Sequence, residues 1–226
     1  TALLFADKTN RLRFSAIKNR FSYDKKYPKE SYFAISVKEI VPCPTKSLNI
    51  AFFGQSNHGN IIKRYEKIDI PSKNVFIYDW RLGVCAKYRE PIPGVDGAAG
   101  GHGHISTETV NYLQNKYNFR KNITVMGFSK GGSRVQDWAK GDLSEKFSYI
   151  LKSLKRNNIE IDYVFWHQGE SEKRTSNQSY YQKYVRNMNN IFQKFSQASN
   201  KTKIGMALVS VCNSERSNFL INSQKS

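Results

Sequence analysis

A serine beside a glycine turn is the first group in this chain that could do covalent chemistry. The segment Gly54-Gln55-Ser56-Asn57-His58-Gly59-Asn60 follows a short apolar run, 48–53, that is typical of a buried strand. If Ser56 begins a helix after that strand, backbone N–H groups lie beside its hydroxyl, and such groups stabilise the oxyanion of acyl transfer. The alternative is that Ser56 is only a helix N-cap.

Two later segments that end predicted strands carry residues suited to the same chemistry. One reads Gly-Phe-Ser-Lys-Gly-Gly-Ser over 127–133, and the other reads Trp-His-Gln-Gly-Glu-Ser-Glu over 166–172. Because ligands of parallel sheets bind outside the carboxyl ends of the strands, the three loops are expected to meet at one crevice. The crevice would then hold a serine hydroxyl, glycine N–H groups, and a Gln close to a Glu.

The elements that must position these loops alternate along the chain. Five segments rich in Val, Ile, Phe, Tyr or other apolar residues predict strands, and four segments have helical patterns. The predicted strands are 48–53, 74–78, 122–128, 162–166 and 203–211, and the predicted helices are 106–116, 132–140, 144–157 and 177–199. This alternation predicts an α/β fold with a five-stranded parallel sheet covered on both faces. Residues 1–47 show no sustained period and are interpreted as an N-terminal extension that wraps a domain of residues 48–226.

The motifs GQSN at 54–57, GGS at 131–133 with Trp138 shortly after it, and WHQGES at 166–171 resemble the SGNH hydrolase superfamily. The similarity is to its sialate O-acetylesterase and acetyl xylan esterase branch and spans residues 48–212. The resemblance implies a three-layer, flavodoxin-like sandwich that needs no cofactor. It also implies a nucleophilic Ser56 that attacks an ester carbonyl and forms an acyl-enzyme.

The remaining site residues are carried over from the same resemblance. Oxyanion donors are expected from the backbone at Ser56 and at the Gly131-Gly132 turn, and from the side-chain amide of Gln168. Glu170 is a candidate for the acid that orients the catalytic His, a role that some relatives give to this Glu and others to a later Asp. The expected substrate contacts are Asn57, His167 and Trp138, although Trp138 also fits a core or crevice-wall aromatic.

The resemblance further implies a catalytic His in a D-x-x-H segment after the last strand, yet no His follows His167. We therefore expect the chain to lack that segment. Turnover should then collapse unless another base is present, because a serine hydroxyl is a poor nucleophile near neutral pH. The other candidates for the base, each more typical of a structural or substrate-facing residue, are His58, His102, His104 and His167.

Ser129 is a rival nucleophile, because residues 127–131 fit the G-x-S-x-G elbow between a strand and a helix. That fold requires an acid and then a His downstream, and the only later His belongs to the WHQGES motif. Ser129 is therefore interpreted as a turn residue beside the oxyanion glycines. The glycine-rich run 94–103 lacks the GxGxxG spacing and is interpreted as a mobile loop rather than a phosphate cradle.

Composition constrains the partners only weakly. Lys and Arg number 36 against 18 Asp and Glu, which gives a net charge of +18. The basic residues are scattered and no nucleic-acid-reading motif lies among them, so no nucleic-acid partner is predicted. Cys43, Cys85 and Cys212 lack the spacing of a zinc site, so no metal is predicted, and one disulfide with one remaining thiol fits their odd number.

These observations lead to one principal function and two alternatives. The principal one is a serine esterase or acyl-transferring hydrolase that acts on O-acyl groups, expected to be O-acetyl, of a carbohydrate. The alternatives are a non-catalytic module that binds an acylated glycan and the O-acetyltransferase domain of a bacterial system that modifies surface polysaccharides. Similar domains occur attached to membrane acyltransferases, so we expect a tether to a membrane protein and a secreted, periplasmic or cell-envelope location.

Overall fold

One mixed sheet organises the part of the chain that the structure, a computed structural model, describes: residues 2–26, 35–62, 74–96, 103–172, 177–208, 222, 224 and 225. Within these residues the sheet has six strands in the order β3-β2-β4-β1-β5-β6. The strands are β1 Ser47–Gly54, β2 Val75–Asp79, β3 Val84–Lys87, β4 Asn122–Ser129, β5 Tyr163–His167 and β6 Lys203–Ala207. Strands β2 and β3 pair antiparallel, and the other neighbours pair parallel.

Helices cover both faces of this sheet. They are α1 Ala2–Lys26, α2 Ser106–Lys116, α3 Val135–Ala139, α4 Asp142–Arg156 and α5 Gln178–Ala198. Side chains alternate along β1, so that Phe52 joins the core cluster that contains Val110 of α2. Phe53, one residue later, joins the opposite cluster and packs against Phe147 of α4 and Phe195 of α5. The predicted three-layer α/β sandwich is confirmed.

The prediction of five parallel strands was incomplete. The five predicted strands correspond to β1, β2, β4, β5 and β6, all parallel to their neighbours among these five. The missed strand is β3, a four-residue edge strand that turns back on β2 after Gly83. A strand this short shows too little alternation to predict a strand by pattern. Strand β6 ends at Ala207, and residues 209–211 of its predicted extent lie outside the described residues.

The N-terminal segment contains a helix that the sequence pattern did not predict. In α1, Ala16 and Tyr23 are buried, whereas Phe14 is 73% exposed. Apolar residues therefore lie on the exposed side of α1 as well as on the buried one, which explains the missing periodicity. The Tyr23 ring packs edge-on against Trp80 with centroids 5.6 Å apart. None of the helices in the described ranges is long and apolar enough to cross a membrane.

A disulfide fastens the segment before β1 to the sheet. It joins Cys43 to Cys85 in β3, and the backbone of Val41 also pairs with Cys85. The pairing that the sequence left open is therefore Cys43 with Cys85. The third cysteine, Cys212, lies outside the described residues.

Candidate active site

Ser56 lies where β1 ends, on a tight turn rather than at the start of an α-helix. The residues Ser56–His58 form a single 3-10 turn, and the N–H of Gly59 closes it on the carbonyl of Ser56 at 2.7 Å. The predicted helix after Ser56 is therefore corrected to one turn. A turn of three residues has no appreciable helix dipole, so any oxyanion stabilisation must come from individual N–H groups.

Gly54 lets three strand ends meet at Ser56. Its φ of +139° is a conformation that L side chains rarely adopt, and a Cβ there would lie 2.0 Å from the carbonyl oxygen of His167. That oxygen accepts the N–H of Gln55 at 2.7 Å, and the carbonyl of Gly54 accepts the N–H of Lys130 at 3.0 Å. The ends of β1, β4 and β5 are thus joined directly by backbone hydrogen bonds.

The glycine turn after β4 reaches the immediate vicinity of Ser56. A Cβ placed on Gly131 would lie 3.9 Å from the Cβ of Ser56 and 3.2 Å from Oδ2 of Asp96. The N–H of Gly131 donates to that Asp96 oxygen at 2.9 Å. Gly132 follows with a φ of +70° and is exposed. The structure therefore brings the predicted nucleophile and the predicted glycine donor together, with a carboxylate bound to the donor.

Gln168, the predicted side-chain oxyanion donor, is fully buried and held by a second carboxylate. Its Nε2 donates to Oε1 of Glu172 at 2.6 Å and makes a long 3.4 Å contact to the carbonyl of Ser133. Its Oε1 has no hydrogen-bond partner among the described residues. Its backbone carbonyl accepts the side-chain amide of Gln224 at 2.9 Å. Donation from Gln168 to a substrate would therefore compete with Glu172 and Ser133, and its oxyanion role stays a prediction.

Glu170 connects two of the predicted substrate contacts. Its Oε1 accepts the side-chain amide of Asn57 at 2.5 Å and lies 3.2 Å from Nε2 of His167. His167 and Glu170 are both only partly exposed, while Asn57 is exposed. The Glu170 carboxylate thus joins the Ser56 turn to the loop after β5. This contact to an imidazole is of the kind that orients a His, but the His it orients here is His167.

The chain matches a known family on the second half of its sequence. The model of the carbohydrate esterase, sialic acid-specific acetylesterase family matches residues 99–226, which is more than half of the chain. The chain belongs to this family. The matched segment includes Gly131, Gln168 and Glu170, and Ser56 lies before it. The resemblance inferred from the motifs is confirmed at the level of this carbohydrate esterase family.

One solved structure supports the fold of this chain, and a second has only a weak similarity to it. A protein from Arabidopsis thaliana of known X-ray structure superposes with a TM-score of 0.58 at 18% identity, covering 79% of this chain and 81% of that one. A protein from Streptococcus pneumoniae described as a platelet activating factor reaches a TM-score of only 0.30 at 12% identity, covering 91% of this chain and 60% of its own. No curated protein matches the sequence.

Two of the four histidines of this chain are buried and hydrogen-bonded within the protein. His104 is fully buried: its Nδ1 accepts the N–H of Ser106 at 3.1 Å, so its Nε2 carries the proton and donates to the carbonyl of His58 at 3.1 Å. His58 is also buried, with its Nδ1 on the carbonyl of Phe53 at 2.9 Å. His102 lies outside the described residues. Among the histidines that the structure describes, His167 is the one that is partly exposed.

Burial of His58 gives the protein a testable loss of stability in acid. Burial, together with the nearby His104 and His167, lowers the pKa of His58 to about 3 from 6.5. As the pH falls, His58 therefore binds a proton near pH 6.5 in the unfolded chain but only near pH 3 in the folded chain. As the pH falls between these values, the free energy of unfolding should fall by about 1.4 kcal/mol per pH unit because of His58. Urea unfolding of wild type and of His58→Gln from pH 7.5 to pH 4 measures this slope.

The comparison between the two proteins isolates the contribution of His58, because all other titrating groups are shared. Gln has an amide that can still donate to the carbonyl of Phe53 but has no charge to gain. We expect the His58→Gln curve to be the flatter one below pH 6.5. Equal slopes would show that folding leaves the pKa of His58 at its ordinary value of 6.5.

Two further residues considered from the sequence lie in the protein interior. Ser129, the rival nucleophile, is fully buried, and its hydroxyl accepts the N–H of Asp96 at 3.1 Å. Trp138, expected among the substrate contacts, is fully buried too, with its ring 5.1 Å from that of Trp166 and its Nε1 donating to Ser133. A ring with no exposed face cannot stack on a sugar, so the structure places Trp138 in the core instead.

The structure also shows two acidic residues at the site that sequence reasoning missed. Asp96 lies in the glycine-rich run that was interpreted as a mobile loop, but its backbone and side chain are hydrogen-bonded to the strand-end loops. Glu172 is buried, and besides Gln168 it accepts the N–H of Val135 at 2.6 Å and the hydroxyl of Tyr180 at 2.6 Å. Glu172 was visible at the end of the WHQGESE segment, but nothing local indicated that it is buried.

Proposed function

We propose that this chain transfers O-acyl groups, acetyl in particular, from a carbohydrate ester to Ser56 and then to water or a hydroxyl acceptor. The observation that carries the proposal is the meeting of Ser56 with the Gly131 turn, whose backbone N–H already binds a carboxylate oxygen at 2.9 Å. Membership of a carbohydrate esterase family supports the substrate class. The acetylated sugar acid in the family's description is the first substrate to test.

The proposed reaction has two steps with a common intermediate. The oxygen of Ser56 forms a bond to the acyl carbon, the bond from that carbon to the sugar oxygen breaks, and the Ser56 proton ends on the released sugar hydroxyl. In the second step water or another hydroxyl attacks the acyl carbon, takes the acyl group and returns a proton to Ser56. The N–H of Gly131 would stabilise the negative oxygen that develops in both steps.

Mass spectrometry of the intact protein with p-nitrophenyl acetate at neutral pH tests the nucleophile. We expect one acetyl group to appear on Ser56 and to be absent from Ser56→Ala, with turnover lowered at least about a thousandfold in that variant. Ser129→Ala tests the rival nucleophile, because Ser129 ends a neighbouring strand but is fully buried. Peptide mapping locates the label.

Each outcome of this experiment is decisive for the proposal. A label that persists in Ser56→Ala, or that disappears in Ser129→Ala, would assign the chemistry to another residue. The absence of any label, together with saturable binding of an O-acetylated sialic acid, would replace the catalytic proposal by a glycan-binding module. If Ser56 is labelled, the fate of the acetyl group distinguishes the two activities. Release of free acetate indicates a hydrolase, and transfer to an added sugar indicates a transferase.

A further inference from the structure

Asp96 is held firmly at the mouth of the Ser56 site. Its N–H donates to the hydroxyl of Ser129 at 3.1 Å, and its carbonyl accepts the N–H of Asn60 at 2.7 Å. Asn60 is itself buried and bonded through its side chain to the segment that precedes Asp96. The Asp96 backbone is therefore fixed between the β1 and β4 loops, and only its side chain can rotate without breaking these bonds.

The side chain of Asp96 points to the group that the proposed reaction needs. Its Oδ2 accepts the N–H of Gly131 at 2.9 Å. An oxyanion-hole donor stands about 2.7 to 3.1 Å from the negative oxygen of the intermediate. A Cβ placed on Gly131 would lie 3.2 Å from this carboxylate oxygen and 3.9 Å from the Cβ of Ser56. The carboxylate oxygen thus lies at the distance from this N–H at which an oxyanion bound to it would lie, here called the oxyanion position.

We propose that Asp96 is a specificity-determining residue that occupies the oxyanion position until a well-fitting substrate displaces it. This inference rests on the proposed function of Ser56. Two negatively charged oxygens cannot share one N–H donor at this distance without strong repulsion, so the Asp96 side chain must rotate away before acylation. A small ester makes few contacts that could compensate for this displacement. An acylated sugar makes more, and its additional binding energy can drive the displacement.

Removal of the Asp96 carboxylate is therefore expected to increase reactivity toward small esters. In Asp96→Ala, acetylation of Ser56 by p-nitrophenyl acetate should be about tenfold or more faster than in wild type, since one oxyanion donor contributes about a hundredfold or more. Reaction with an O-acetylated sialic acid should change less, so that the ratio of the two kcat/KM values shifts toward the small ester. Asp96→Asn, which keeps the shape without the charge, should be intermediate.

Asp162→Ala is the matched control for these variants. Asp162 also accepts a backbone N–H, that of Asn49 at 2.8 Å, but it precedes β5 at the opposite edge of the sheet. Asp162→Ala therefore removes the same charge and the same kind of hydrogen bond at a place distant from Ser56. Its reaction rates should match those of wild type, and thermal unfolding of every variant verifies that each one is folded.

A binding measurement tests the occupancy of the oxyanion position without any reaction at Ser56. Acetate is titrated into the protein, and the backbone N–H of Gly131 is followed by NMR. Acetate should bind Asp96→Ala about tenfold or more tightly than wild type, because the donor is vacant only in the variant. Equal affinities, or slower acetylation of Ser56 in Asp96→Ala, would overturn the inference. Tighter acetate binding without a Ser56 label in either protein would support this occupancy and reject the proposed function instead.

Discussion

Gly54→Ala is expected to lower the free energy of unfolding by about 3 kcal/mol or more and to prevent acylation of Ser56. A Cβ at Gly54 would lie 2.0 Å from the carbonyl oxygen and 2.7 Å from the carbonyl carbon of His167, which are backbone atoms of the paired strand. The chain would also have to keep a φ of +139° that alanine strongly disfavours. Strain of this kind costs about 1 to 3 kcal/mol, and overpacking adds a similar amount.

The same substitution should disable the site, because Gly54 joins its parts. If β1 moves away from β5 to relieve the clash, the hydrogen bond from Gln55 to His167 breaks and the Ser56 turn moves relative to Gly131. A displacement of about 1 Å can cost about a hundredfold in rate. Urea unfolding and the Ser56 acetyl label measure the two effects.

Gly205→Ala provides the matched control for Gly54. Gly205 lies in β6, and the nearest atoms to a Cβ there, on the Phe165 ring, are 3.6 Å away in ordinary contact. Its variant should stay within about 1 kcal/mol of wild type and keep the label. Similar losses for the two glycines would show that the close approach of Gly54 to His167 does not constrain the protein.

Glu172→Leu is expected to lower the free energy of unfolding by about 3 to 5 kcal/mol. The buried Glu172 carboxylate accepts hydrogen bonds from the backbone of Val135, the amide of Gln168 and the hydroxyl of Tyr180, each at 2.6 Å. Leucine removes the acceptor of these three hydrogen bonds, and a buried donor that loses its acceptor costs about 1 to 3 kcal/mol. Because Val135 begins α3 and Tyr180 lies on α5, the loss should also loosen the contact between these helices.

Tyr180→Phe is a milder variant for comparison, because it removes only one of the three donors and leaves the Glu172 carboxylate in place. We expect it to cost about 1 kcal/mol, well below Glu172→Leu. Urea unfolding compares both variants with wild type. A cost for Glu172→Leu no greater than that for Tyr180→Phe would mean that water replaces the lost hydrogen bonds and that Glu172 does not organise the Gln168 loop.

Asp96 and Glu172 each place a carboxylate on a predicted oxyanion donor. Each of the two predicted oxyanion donors outside the Ser56 turn, the N–H of Gly131 and the amide of Gln168, is bound to a carboxylate. The two differ in accessibility: Glu172 is buried, whereas Asp96 is half-buried beside Ser56. Displacement by substrate is therefore feasible at Asp96, while Glu172 holds Gln168 as part of the folded core.

The sequence alone determined the elements and the loops that carry the chemistry. Alternating apolar runs and helical patterns located the five strands β1, β2, β4, β5 and β6, and they located helices α2 to α5 within a few residues. Such patterns are local, because the spacing of apolar residues along one segment indicates which of its faces is buried. The carboxyl ends of parallel strands lie at one edge, so the meeting of the three loops that carry Ser56, Gly131 and Gln168 followed from the order of the motifs.

Only the tertiary structure decided which partner each site group has. That Asp96 would reach the N–H of Gly131 depends on a contact across 35 positions of sequence, and the pairing of Gln168 with Glu172 depends on burial of the loop after β5. The burial of Trp138 and the burial of α1 on a face marked by Ala16 and Tyr23 likewise arise from packing. Local spacing does not encode these distances, because hydrogen-bond geometry and burial are set by how separate elements pack together.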